Sequence, residues 1–167
     1  RHYPFKEESK EIFMEFWEVP MESDRRSHPG IYGSEMVAVG DYQLQLIFLD
    51  TRTFRDHLIH REASDTLHKN DYTINLDPDS TFLGEAQWTW LETELASPAD
   101  LRIIASSNQF SHEYNGWESW TNLPYEQKKM LDLIKKTNAH GVIFLSGDVH
   151  WGELSKMEVD SLYPIYD

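Results

Sequence analysis

The sequence contains no cysteine, which excludes disulfide bonds and thiolate metal ligands. Basic residues are also few, since 15 Lys and Arg stand against 29 Asp and Glu and give a formal net charge of −14. Such a charge argues against binding nucleic acids or anionic membranes through a basic patch. It would also repel an anionic ligand unless bound divalent cations reversed the local field. No apolar run approaches the ~20 residues of a membrane span, so no membrane-spanning segment is expected.

Apolar and aromatic residues are plentiful enough for a folded core. They make up 40% of the 167 residues and include 6 Trp, 8 Tyr and 8 Phe, which suits one domain rather than a disordered segment. The chain begins at Arg1 without a Met and stops at Asp167 without a polar tail. We therefore expect it to be part of a longer protein.

The hydrophobic patterns predict alternating strands and helices. Apolar residues at helical spacing predict the helices 6–17, 84–95 and 124–138. Short apolar or alternating runs predict the strands 31–39, 42–49, 101–105 and 142–145, with a further strand within 154–159. Gly40-Asp41 lies between the first two strands and is typical of a hairpin turn. This order predicts a layered α/β fold.

The segment from Val142 to His150 combines a buried strand with metal-binding side chains. Four apolar residues lead into Ser146-Gly147, and Asp148 and His150 then follow two positions apart. Open α/β sheets bind ligands beyond the carboxyl ends of their strands, where a carboxylate and an imidazole can hold a metal. The alternative is that Gly147 and Asp148 simply form a turn.

Four segments, taken in order, resemble the PhoD-like alkaline phosphatases, a branch of the calcineurin-like metallophosphoesterases. The segments are Phe48-Leu49-Asp50-Thr51-Arg52-Thr53-Phe54-Arg55, Leu83-Gly84-Glu85-Ala86-Gln87-Trp88-Thr89-Trp90-Leu91, Gly116-Trp117-Glu118-Ser119-Trp120 and Leu145-Ser146-Gly147-Asp148-Val149-His150. The second and the fourth are the most specific, and the resemblance spans nearly the whole chain.

The resemblance implies a fold, a reaction and a cofactor. The fold would be part of a four-layer αββα sandwich with mixed sheets. The reaction would be hydrolysis of phosphate mono- or diesters, in small molecules or polymers, by a metal-activated water. The metals would be two ions, iron with calcium or a manganese or zinc pair, and two metals suit this chemistry because they stabilise charge on the phosphoryl oxygens. Relatives that act outside the cytoplasm imply an extracytoplasmic location.

The resemblance also assigns roles to individual residues. Asp148 corresponds to a metal ligand, and His150 to a ligand or a contact to the phosphate. Arg52 could bind phosphate through its planar guanidinium, or it could pair with Asp50. Asp50 itself is expected to cap a loop. Trp117 lies in an aromatic segment that could line the mouth of the pocket or serve only as structure.

The chain departs from the family at both ends. The family's first metal ligands lie upstream of Pro4, and a further His segment lies downstream of Asp167. We therefore expect residues 1–167 to be the middle-to-late portion of one catalytic domain, with an incomplete metal cage and with apolar faces left exposed.

Two other functions stay open. The aromatic loop could bind a carbohydrate or a protein partner in a non-catalytic domain, or the protein could be an inactive relative. A sugar-binding module would need an all-β pattern, which the predicted helices oppose. Among the remaining histidines, His57 and His60 would form a ligand pair only on a helix and are expected to be solvated, whereas His112 and Glu113 have a better chance of facing the site.

Overall fold

The computed structural model describes residues 3–62, 71–147 and 150–167. Its helices are α1 (Lys6–Phe16), α2 (Gly84–Leu95) and α3 (Pro124–Lys136). Its strands are β1 (Gly33–Val39), β2 (Tyr42–Phe48), β3 (Leu101–Ser106), β4 (Val142–Ser146), β5 (Lys156–Met157) and β6 (Ile165–Tyr166). The predicted α/β class, all three helices and the four main strands are confirmed.

The strands form one mixed sheet in the order β1-β2-β3-β4-β6-β5. β1 and β2 form the predicted antiparallel hairpin, in which Gly40 takes a φ of +63° that a residue with a Cβ would rarely adopt. Strands β2, β3, β4 and β6 run parallel to one another, and β5 pairs antiparallel with β6. Four carboxyl ends therefore meet at one edge of the sheet.

The hydrophobic core fills one face of the sheet. Ile47, Ile104 and Phe144 point into it from three neighbouring strands and are fully buried. Helices α2 and α3 add the buried side chains Trp88, Leu91, Leu95, Met130, Leu133 and Ile134, and Trp90 and Leu131 pack against them half-buried. The helical spacing predicted these side chains as core, and they hold both helices on this face.

The apolar stripe of α1 is not its buried side. Ile12, Phe16 and Trp17 are exposed, whereas Lys10 and Met14 are buried. The reason lies in the loop that packs against the helix, where the Lys10 ammonium donates hydrogen bonds to the carbonyl oxygens of residues 26 and 28. A lysine can bury its stem while its ammonium satisfies such carbonyl groups.

Within the described part of the chain, no helix has the length and apolar character that crossing a membrane requires.

Candidate active site

Polar side chains follow every parallel strand at the shared edge of the sheet. Asp50, Thr51 and Arg52 come after β2, and Ser107 and Asn108 come after β3. Gly147 and His150 come after β4, and Asp167 comes after β6. Since parallel strands end together, the topology gathers these groups into one region, which is where open α/β sheets bind ligands.

A cleft of about 580 Å³ opens at this edge. Arg52, Trp117 and His150, which are three of the four predicted site residues, all line it. Asp148, the fourth, lies outside the described residues. The other residues lining the cleft are Asp71, Tyr72, Ser107, Asn108, Glu118, Gly147 and Trp151. The structure thus brings together side chains that are nearly 100 positions apart in the sequence.

The guanidinium of Arg52 pairs with Glu118, at 2.5 Å between Nη1 and Oε2. The buried Arg55 shares the same carboxylate through hydrogen bonds of 3.0 and 3.4 Å. Burial works to raise the pKa of Glu118, but the hydrogen bond and charge of Arg55, followed by those of Arg52, outweigh it and lower the pKa. The Arg52 side chain is 47% exposed and lines the cleft.

Asp50 caps the loop after β2, as expected. Its buried carboxylate accepts hydrogen bonds from the backbone N–H groups of Ile31, Arg52 and Thr53, at 2.8 to 3.0 Å. The Thr53 hydroxyl adds a fourth hydrogen bond at 2.6 Å. These contacts use the carboxylate to hold the loop that presents Arg52, which is a positioning role.

Gln87 on α2 fixes the same loop from the core side. Its side chain accepts a hydrogen bond from the Asp50 backbone N–H and donates one to the Asp50 backbone carbonyl, both at 2.9 Å. Gly84, at the start of α2, has a φ of +70°, and a Cβ there would come within 3.0 Å of the Phe54 side chain. The first two family-like segments therefore contact each other directly.

Asn108 is a cleft residue that the sequence interpretation missed. It is almost completely buried, and its Oδ1 accepts a hydrogen bond of 2.8 Å from the Thr51 hydroxyl. The available signal was its place directly after the buried strand β3, the same place that Asp148 has after β4. An amide oxygen in this position can contribute to a hard cation site.

His150 has a backbone conformation that few residues with side chains adopt. Its φ is +64°, and its side chain is exposed at the cleft. Non-glycine residues in this region tend to cluster at functional sites. Among the described residues, no three His, Asp or Glu side chains lie close enough together to hold a metal ion.

The other histidines lie in different surroundings. His57 and His60 are exposed on an irregular segment rather than on a helix, and the His60 ring contacts Tyr72 with the two ring centroids 5.0 Å apart. His112 is buried, and neither of its ring nitrogens has a hydrogen-bond partner among the described residues. Glu113 is exposed.

The fold and the cleft define an α/β protein with a polar cleft at the carboxyl edge of a mixed sheet. The chain belongs to the PhoD-like phosphatase family, whose model matches residues 4–165. It is 28% identical over 121 residues to alkaline phosphatase D of Bacillus subtilis (strain 168), a match that covers 67% of this chain. A solved structure titled "Structure of PhoD" superposes with a TM-score of 0.61 over 91% of the chain, at 20% identity, which supports the fold.

This chain is short beside these relatives. The matched part amounts to 20% of the length of the Bacillus enzyme and 30% of the solved PhoD chain.

Proposed function

We propose that the protein containing this chain hydrolyses phosphate mono- or diesters at the cleft beyond the carboxyl ends of β2, β3 and β4. The observation that carries the proposal is the meeting of Arg52, Asn108 and His150 in one cleft at the carboxyl edge of the sheet. A cation, a hard oxygen donor and an imidazole are the groups that a phosphoryl-transfer site needs. Membership of the PhoD-like phosphatase family supports the same reaction.

In this proposal Arg52 binds the phosphoryl oxygens. Its guanidinium is half-exposed and lines the cleft, and the planar fork of an arginine matches the geometry of phosphate oxygens. Trp117 contacts the organic part of the ester, since its half-exposed indole lines the same cleft. Because Glu118 and Asp71 line the same cleft, bound divalent cations would be needed to offset the repulsion that a net charge of −14 imposes on an anionic substrate.

We further propose that the site holds metal ions through Asp148 and His150, with the Asn108 amide oxygen as an additional ligand. The donor set suits a hard or borderline cation, because it combines oxygen and imidazole nitrogen without thiolate. Two ions, iron with calcium or a manganese or zinc pair, would supply an activated water and neutralise charge on the phosphoryl group. Further ligands would come from outside residues 1–167, consistent with a chain that forms the middle-to-late portion of the catalytic domain.

An extracytoplasmic location is part of the same proposal.

The test is hydrolysis of a generic phosphomonoester and a phosphodiester by the full-length protein. The protein is depleted of metal and then supplied with iron, calcium, manganese or zinc. We expect activity that returns with metal and falls at least about 100-fold in Asp148→Asn, as removing a group that acts on transition-state charge typically does.

The matched control is Asp41→Asn, because Gly40-Asp41 is the same dipeptide at the opposite end of the sheet, in the hairpin turn. This variant should keep full activity. A folded protein that hydrolyses neither ester with any of these metals would contradict the proposal and favour a binding domain or an inactive relative.

A further inference from the structure

The cleft carries a second exposed tryptophan besides Trp117. Trp151 lies one residue after His150, lines the same cleft and is 52% exposed, while Trp117 is 48% exposed. The chain buries Trp88 and Trp120 and packs Trp90 against the core. Trp17 is exposed as well, at 64%, but it does not line the cleft. What sets Trp117 and Trp151 apart is that both line one cleft, where the two indoles together offer a large apolar surface to a ligand.

A hydrogen bond holds the edge of the Trp151 ring. Its indole Nε1–H donates to Glu153 Oε2 at 2.8 Å, and Glu153 Oε1 accepts from the Ser155 hydroxyl at 2.7 Å. Because the polar N–H is already satisfied, the part of this indole left for a ligand is its apolar π-face. A ring oriented in this way can stack on a flat group with little further loss of conformational entropy.

The polar and aromatic groups of the cleft match two parts of one ligand. Arg52, Asn108 and His150 suit a phosphoryl group, and the two indoles suit a flat apolar group joined to it. A volume of about 580 Å³ is in the range of sites that take a small organic molecule. An aliphatic polyol such as glycerol would leave both indole faces without a stacking partner.

We propose that Trp117 and Trp151 select phosphate esters whose alcohol part is a planar aromatic or heteroaromatic group. This inference rests on the proposed phosphoesterase function and adds the substrate class to it. The two indoles are specificity residues that bind the leaving group, and the reaction at phosphorus stays with the other residues of the cleft.

The experiment compares two phosphonates as competitive inhibitors of the full-length protein. Phenylphosphonate and cyclohexylphosphonate have the same charge and nearly the same size, but only the phenyl ring is flat and aromatic. We expect the inhibition constant of phenylphosphonate to be about tenfold lower, as stacking of one ring on an indole typically gives. Trp151→Leu and Trp117→Leu, which keep apolar bulk, should each remove most of this preference, whereas Trp151→Phe should retain it.

Trp17→Leu is the matched control, because Trp17 is exposed directly after α1 and does not line the cleft. It should leave the ratio of the two inhibition constants unchanged. Equal inhibition constants, or a phenyl preference that survives both Leu substitutions, would overturn the inference while hydrolysis still supported the proposed function.

Binding of the two phosphonates is measured by calorimetry as well, so that the result does not depend on turnover. Preference for phenylphosphonate that depends on Trp117 and Trp151 supports the aromatic site even in a protein that hydrolyses no ester. A protein that neither hydrolyses an ester nor binds either phosphonate overturns both proposals.

Discussion

At the scale of single residues, Glu118 is shared by two arginines that differ in burial. Arg55 is 4% exposed and Arg52 is 47% exposed, and both hydrogen-bond the same carboxylate. The buried arginine is therefore suited to hold Glu118 in place, and the exposed one to meet a ligand. Truncating each arginine separates the structural role from the binding role.

We predict that Arg52→Ala costs at most about 1 kcal/mol of unfolding free energy, because exposed ion pairs contribute little and Arg55 still neutralises Glu118. The same variant should raise KM at least about tenfold, since the phosphate loses its cation. Arg55→Ala should cost about 2–3 kcal/mol, because it empties a buried site next to a carboxylate. Urea unfolding and steady-state kinetics measure the two effects, and an Arg52→Ala variant with unchanged KM would remove Arg52 from substrate binding.

The lowered pKa of Glu118 makes this ion pair dependent on pH. Because the folded-state pKa lies below that of the unfolded chain, the ionised carboxylate stabilises the fold above the unfolded pKa, and this stability is lost as pH falls through the folded pKa. We predict that Glu118→Gln is less stable than the parent at pH 7 and that the difference shrinks as pH falls below about 4, the ordinary glutamate range. Denaturant unfolding at a series of pH values tests this, and a difference that stays constant with pH would contradict it.

At the scale of secondary-structure elements, the Gln87 side chain attaches the loop that bears Arg52 to helix α2. The Gln87 side chain accepts from the backbone N–H of Asp50 and donates to its backbone carbonyl, and Asp50 is itself buried. Without Gln87, a buried N–H and a buried carbonyl would lose their partners. The Gln87 side chain therefore links the position of α2 in the core to the position of the Arg52 loop at the candidate site.

We predict that Gln87→Leu destabilises the protein by about 2–4 kcal/mol and lowers phosphate binding as well, because the loop that bears Arg52 loses its attachment. Thr89→Ala on the same helix is the control. Thr89 is exposed and bonds only within α2, so this variant should stay within about 0.5 kcal/mol of the parent. Thermal unfolding and phosphonate affinity are the two measurements. A Gln87→Leu variant that is destabilised but binds phosphonate normally would show that α2 does not position the loop.

The sequence predicted the long elements well because their periodicity is strong. Helices α2 and α3 and the strands β2 and β4 follow from apolar spacing alone. The two-residue strand β6 gives no such signal, since Ile165–Tyr166 is too short for a period to repeat. The buried side of α1 was also not predicted. Lys10 is buried because its ammonium donates a hydrogen bond to a backbone carbonyl of the loop that packs against the helix. A local sequence pattern indicates neither the pairing of a two-residue strand nor the contact of Lys10 with a loop.

For the candidate site too, the sequence identified some residues and not others. Arg52 and His150 could be identified because each lies in a family-like segment at the end of a strand. Glu118 could not be identified as the partner of Arg52, because the pair is 66 positions apart in the sequence and depends on how the loop packs. The role of Gln87 was likewise hidden, since a buried polar side chain in a helix cannot be told from an exposed one by spacing.

At the scale of the whole molecule, α2 and α3 cover one face of the described sheet, whereas the other face has Arg25 over the Phe48 ring and keeps several apolar side chains partly exposed. On the other face, Val37, Leu44 and Leu101 lie in register on β1, β2 and β3, and Ile103 and Ile143 form a neighbouring pair on β3 and β4. These side chains are half-buried or exposed, and Leu145 beside them is 56% exposed. Sheets with parallel strands are normally covered on both faces, so this face is suited to further packing.

We predict that a protein consisting of residues 1–167 alone self-associates and binds a hydrophobic dye through this face. Leu145→Lys combined with Leu101→Glu should reduce both effects at little cost in stability, because these side chains lie outside the buried core. Sedimentation velocity gives the association state, and dye fluorescence reports the exposed apolar surface. Met21→Lys is the control, since Met21 is even more exposed, at 76%, but lies in the loop after α1, and it should change neither signal. A monomer that binds no dye would mean that this face does not drive association, and the expectation drawn from its partly exposed apolar side chains would then be wrong.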